Sequence, residues 1–318
     1  MTELDIESLN PAVKEMLASV NASLPEPLKV GIADHVDPLL RPSDARYGYD
    51  ENDRAFIQID NAQNLAYTFS HELTQLFIDM GGYPIVHNEL NFEGDETNQL
   101  VADVAAGIDG AVHEIMISAW QKEHGLLTAQ VREAVISGVE ADVTPGDEGK
   151  EAEDLVREGL TLLNGLIIAG IDNELVGGWQ DRYPSAFAVA GQLLATLLQS
   201  ELNDARGIRR TILAMFNTFN EMFDLEGVSF AQLVVVPPVL SERQLRQPVG
   251  QLYDIAITPY RSAFDADVVV AFVGKGDGQV ALMIHEDDTT IQAGLLDALV
   301  DMPMSEVISR YGLPFTQR

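Results

Sequence analysis

The sequence predicts a mostly helical α+β protein. Three observations carry that prediction. Long stretches repeat apolar residues every three or four positions, short extended stretches alternate apolar and polar residues, and a glycine-rich pentapeptide near the end separates two apolar runs. The 318 residues exceed what one small core needs, and three consecutive segments are expected: 1–140, a helical middle over 141–226 that opens on an acidic loop, and a small α+β unit over 227–318.

The elements follow in order. Pro11 to Val20 reads as a helix, with Val13, Met16, Leu17 and Val20 on one face, and Pro27 to Ile32 as an extended stretch. Arg54 to Asp60 alternates like a half-exposed strand. A helix comes next, capped by Asp60 or Asn61, burying Leu65, Phe69, Leu73, Leu76 and Met80, and ended by Gly81, Gly82 and Pro84. Asp95 to Glu123 forms a second long helix with Leu100, Val104, Ile108, Ile115 and Ala119 toward the core. Glu140 to Glu158 is acidic and carries Thr144-Pro145-Gly146-Asp147, so it reads as a mobile loop and a boundary. Helices are expected over Ala186 to Leu202 and Ile208 to Phe223. Beyond Leu233 to Pro238, Asp267 to Val273 and Gln279 to Ile284 form a hairpin around Gly274 to Gly278, and the helices Thr290 to Leu299 and Met304 to Arg310 close the chain.

Composition excludes several classes. With 46% hydrophobic residues and a mean hydropathy of +0.03, the chain is expected to fold rather than to remain disordered. There is no cysteine, which removes disulfides, iron–sulfur clusters, thiolate zinc sites and cysteine nucleophiles. Fifty acidic residues against nineteen basic ones leave a formal charge of −31, which repels nucleic-acid backbones and anionic membranes. The charge fits a solvated acidic surface, or a surface that attracts a basic partner or cations. The acidic start lacks a secretory pattern, and no apolar run approaches the roughly 20 residues that span a bilayer, so a soluble, cytoplasmic protein is expected.

His71-Glu72-Leu73-Thr74-Gln75 is where chemistry is expected. A helix bearing His-Glu-x-x-His points two imidazoles at one zinc ion, and its glutamate serves as general base to the bound water. Here the first histidine and Glu72 are in place, and the fifth position is Gln75. The strand before this helix, the run Ala66-Tyr67-Thr68-Phe69-Ser70-His71-Glu72-Leu73 and the Gly82-Tyr83-Pro84 terminator together resemble the zincin-like metallopeptidases over roughly residues 45 to 125. The resemblance implies an N-terminal zincin-like domain over 1–140. It implies that Phe56 to Asp60 is the edge strand beside the cleft, and that a third ligand comes from the following helix.

That helix offers Asp109 and His113 at i, i+4 spacing, with His113 the preferred ligand; the same pair also reads as an intrahelical hydrogen bond. Zinc would then be held by His71, His113 and either Asp109 or Gln75. An amide oxygen is a weak zinc ligand, so the expectation is a metallopeptidase-like protein with reduced or absent hydrolysis. The alternative is a non-catalytic scaffold that holds a peptide or protein in the former cleft by strand addition along Phe56 to Asp60. His35, His87, His124 and His285 show no ligand spacing and read as surface or loop residues. No serine lies in a Gly-x-Ser-x-Gly context.

Overall fold

The structure is a computed structural model that describes residues 4–170, 174–223, 229–286 and 293–318. In chain order it begins α1 (Pro11–Ser23), β1 (Lys29–Ile32), β2 (Ala45–Tyr49), β3 (Ala55–Ile59), α2 (Leu65–Met80), β4 (Leu90–Asn91), α3 (Asp95–Glu123), α4 (Ala129–Asp142) and α5 (Ala152–Ala169). It continues α6 (Trp179–Arg182), α7 (Pro184–Leu198), α8 (Ala205–Met222), β5 (Val239–Leu240), α9 (Glu242–Leu245), α10 (Val249–Leu252) and β6 (Tyr253–Ile257). The rest is β7 (Arg261–Ser262), β8 (Val268–Gly274), β9 (Val280–Glu286), α11 (Ala293–Asp301), α12 (Met304–Tyr311) and β10 (Thr316–Gln317). The fold is α+β. It divides into two compact units, each discontinuous in sequence: Met1–Gly81 with His113–Gly191, and Gly82–Val112 with Gln192–Arg318. No described helix is long and apolar enough to cross a membrane.

In the first unit, Asn10 caps α1 by accepting from the Ala12 N–H, and Pro11 supplies the helical φ at the first position. Val13, Leu17 and Val20 of α1 join Phe69, Leu73 and Leu76 of α2, and Ile32, Ile57 and Ile59 of the sheet, in one apolar core. The sheet order is β1-β3-β2, with β1 parallel and β2 antiparallel to β3. This corrects the expected edge: β3 is the middle strand, paired on both sides, because its alternate residues Ala55, Ile57 and Ile59 are buried on a core only an interior strand can share with both neighbours.

The helix cap is a second correction. α2 starts at Leu65 after Asn64, which sits in the left-handed region with no capping side chain. Asn61 instead fastens the preceding loop. Its Oδ1 accepts from the N–H groups of Asp37 and Gln63 at 2.9 and 3.0 Å, and its Nδ2 donates to the carbonyls of Asp37 and Leu39 and to Asp44 Oδ2. Asn61 is fully buried, so Asn61→Ala strands several main-chain groups at once. A loss of about 3 kcal/mol in urea denaturation is expected; a loss under about 1 kcal/mol would contradict this accounting.

The acidic stretch is helical at both ends, where α4 ends at Asp142 and α5 begins at Ala152, and the expected loop with Thr144-Pro145-Gly146-Asp147 lies in residues 143–151 between them. Lys150 Nζ donates at 2.5 Å both to the Thr144 carbonyl and to Glu158 Oε2, tying that connection to α5. Trp179 is fully buried, and its indole N–H donates to Glu140 Oε1 at 2.8 Å.

In the second unit, β6, β8 and β9 form an antiparallel sheet in the order β6-β8-β9. The glycine-rich pentapeptide is its hairpin turn, as expected. The Gly274 N–H donates to the Gln279 carbonyl, and Arg209 reaches Asp277 Oδ2 at 2.7 Å. Strand alternation gives the sheet two apolar faces. Val270, Phe272, Leu282 and Ile284 pack with residues of α11 and α12, while Val269, Ala271 and Met283 pack with Leu90 of β4, which is antiparallel to β7. The expected start of the penultimate helix, residues 290–292, lies outside the described residues.

Candidate functional site

The histidine–glutamate pair of α2 is joined by a carboxylate from α3. His71 Nδ1 stands 3.0 Å from Glu72 Oε1, and Nε2 stands 2.7 Å from Glu114 Oε2. Glu72 and Glu114 are 6% and 3% exposed, so neither charge is hydrated enough to stand alone. Carboxylates accept but do not donate, so each ring nitrogen supplies a hydrogen and the ring is an imidazolium. Burial opposes that charge, yet the charge and hydrogen bond of Glu114, reinforced by Glu72, outweigh it and raise His71 to about 10. Burial first, then the charges of Glu114 and Glu72, hold the nearby Tyr67 phenol well above its ordinary value.

The surrounding side chains hold α2 and α3 in register. Gln121 of α3 donates through Nε2 to the Tyr67 carbonyl at 3.0 Å and to Ser70 Oγ at 2.9 Å. Ser70 Oγ in turn donates to the Tyr67 carbonyl, and Thr74 Oγ1 donates to the Ser70 carbonyl. The last two bonds stay within α2; the Gln121 bonds cross from α3, so this polar layer sets how the two helices meet.

The residues expected to hold a metal are distributed differently. His71 and Glu72 are together, with Gln75 half-buried one turn further along α2. His113 is buried on α3, but the side chain on the ring nitrogen of His71 is that of its neighbour Glu114. Asp109 belongs to the second unit, where its Oδ1 accepts from the Val86 N–H at 3.1 Å. A zinc ion needs a deprotonated ring nitrogen, and both nitrogens of His71 face carboxylates. Among the described residues no three His, Asp or Glu side chains are grouped to hold a metal ion.

Sequence reasoning missed Glu114 because it followed apolar periodicity. Val101, Val104, Ala105 and Ile108 are buried in the first half of α3, whereas Ala119 is exposed and Leu100 and Ile115 are half-buried. In the second half the buried residues are Ala111, Val112, His113, Glu114, Ile117, Ser118 and Gln121. At 100° per residue the His113, Glu114, Ile117, Ser118 and Gln121 face lies nearly half a turn around α3 from the Val101, Val104, Ala105 and Ile108 face, and it is mostly polar. A glutamate beside an expected ligand was the available signal.

The other histidines have structural partners. His124 Nδ1 donates to the Trp120 carbonyl at 2.8 Å, with its ring 4.5 Å from the indole, and His87 forms a reciprocal backbone bridge with Val235. Comparison of the chain with protein-family models, with curated proteins and with solved structures finds no match.

Proposed function

We propose that this chain is a metallopeptidase-like protein whose His-Glu-x-x-Gln helix supports little or no zinc-dependent hydrolysis, and that it acts by holding a peptide or protein partner. The observation that carries this reading is the placement of a carboxylate at each ring nitrogen of His71. An imidazolium has no lone pair for a metal, Glu72 is engaged as its counter-ion rather than aimed at a water, and Gln75 offers only a neutral amide. With a formal charge of −31, the surface favours a basic partner. An extended segment could add at β1 or β2, the edges of the first unit's sheet, and not at β3.

The test is metal content together with activity. Protein purified without a histidine tag and dialysed against micromolar zinc is expected to retain less than about a tenth of an equivalent by elemental analysis, and Gln75→His is expected to add none while His71 stays clamped. Near-stoichiometric zinc in the unaltered protein, with peptide cleavage lost in Glu72→Gln, would overturn the proposal.

A further inference from the structure

The second unit contains a serine, a histidine and a carboxylate in series. Ser262 Oγ lies 2.8 Å from His285 Nδ1, and His285 Nε2 lies 2.9 Å from Glu89 Oε2. The three come from separate strands or their flanks: Ser262 ends β7, Glu89 directly precedes β4, and His285 lies in β9. The pairing of β4 with β7 sets Leu90 opposite Ser262, and the Ala263 N–H donates to the Glu89 carbonyl, so Glu89 and Ser262 share one ladder. His285 pairs with Val269 across β8, on the face that also carries Met283 and that packs on Leu90. The arrangement is thus built on sheet, which fixes the imidazole from both sides.

Hydrogen-bond accounting assigns the direction of the series. Glu89 can only accept from Nε2, so Nε2 carries the hydrogen and, in the neutral ring, Nδ1 presents its lone pair to Ser262. The Phe264 N–H already donates to Ser262 Oγ at 2.9 Å, leaving the hydroxyl hydrogen free to point at Nδ1. These are the relations a nucleophile, its base and the group that orients the base must satisfy. Ser262 is 5% exposed, and the His285 and Glu89 side chains keep 16% and 14% of theirs, so the centre is largely shielded and suits small substrates. Phe264, 64% exposed, sets its ring edge-on to the imidazole at 5.0 Å, an apolar contact surface beside the serine.

We propose that Ser262, His285 and Glu89 form an acyl-transfer centre that cleaves small uncharged carboxylic esters. His285 Nδ1 takes the Ser262 hydroxyl proton as Oγ bonds to the ester carbonyl carbon. The carbon–oxygen bond to the alcohol then breaks, and that alcohol leaves with the proton held on His285. Water, deprotonated by the same nitrogen, attacks the acyl-serine and releases the carboxylic acid and free Ser262. Glu89 stabilises the imidazolium formed midway. Uncharged substrates follow from the apolar ring beside the serine and from the chain's −31 formal charge, which disfavours anions.

The full chain is treated with diisopropyl fluorophosphate and its peptides are mapped by mass spectrometry, and p-nitrophenyl acetate hydrolysis is followed in parallel. A single adduct at Ser262 is expected. Hydrolysis should fall at least about 100-fold in Ser262→Ala and His285→Ala, and added imidazole should partly restore His285→Ala, a response that a merely structural histidine would not give. Glu89→Gln should lower kcat with little change in KM. Absence of an adduct at Ser262 in protein whose melting temperature is unaltered by the reagent, or equal labelling of Ser262 in the unaltered chain and in folded His285→Ala, would overturn the assignment.

Discussion

Glu114→Gln is expected to destabilise the protein by about 3 to 5 kcal/mol, the range found when one member of a buried ion pair is removed. The substitution keeps the shape of the side chain and removes the charge, so the cost measures the imidazolium left between one carboxylate and one amide. It also predicts a change in pH dependence. His71 is held at about 10 in the folded protein, above its ordinary value of 6.5. Its stabilising contribution is therefore complete below about pH 6.5 and is lost progressively as the pH rises toward 10. Between those limits the unaltered chain should lose a few kcal/mol on this account, and Glu114→Gln should show a flatter profile. Urea denaturation at pH 6 and pH 9 reads both effects, and NMR titration of the His71 ring follows the group itself. A ring titrating near its ordinary value, or a variant within about 1 kcal/mol of the parent at pH 6, would sink this account of the site.

The second large effect comes from one substitution made at two helical glycines, with opposite signs. A Cβ at Gly138 in α4 would stand 2.1 Å from the Leu40 carbonyl oxygen. That oxygen belongs to a backbone segment anchored to the same helix, because the Leu40 N–H donates to the Ala134 carbonyl. A main-chain atom cannot rotate aside as a side chain does, so Gly138→Ala must separate α4 from residues 39–41. A loss of at least about 3 kcal/mol is expected, at the upper end for overpacking. At Gly110 in α3 nothing lies within 4 Å of the corresponding Cβ. Gly110→Ala should therefore stabilise by about 0.5 to 1 kcal/mol, the difference in helix propensity. Thermal melts of the two variants compare them directly, and equal signs would refute the packing argument.

The two glycines show what a sequence conceals. Both sit inside helices legible from apolar spacing or absent from that reading altogether, and neither position announces whether a neighbouring backbone presses on it. The polar layer between α2 and α3 is concealed for a related reason. Gln121, Ser70 and Glu114 are polar residues that apolar periodicity does not mark as buried, and only the partners they meet make their burial tolerable. Ser262 and Glu89 are further cases. They lie 173 positions apart, in or beside two-residue strands too short to leave a pattern, and meet through His285.

What the sequence by itself determined is the local order of the chain: a helix from Pro11 to about Val20, one carrying Leu65 to Met80 and one over Asp95–Glu123, the hairpin of Asp267 to Val273 with Gln279 to Ile284, and the pairing of His71 with Glu72 on one helix. Those features arise from residues a few positions apart, and apolar periodicity and turn chemistry record them directly. Only the tertiary structure decided that β3 is an interior strand, that Asn61 fastens a loop instead of capping α2, and that Glu114 meets His71. Each depends on which distant surface a side chain meets once the core closes. Along α3 the buried face turns and becomes polar, and a residue-spacing rule cannot follow that turn.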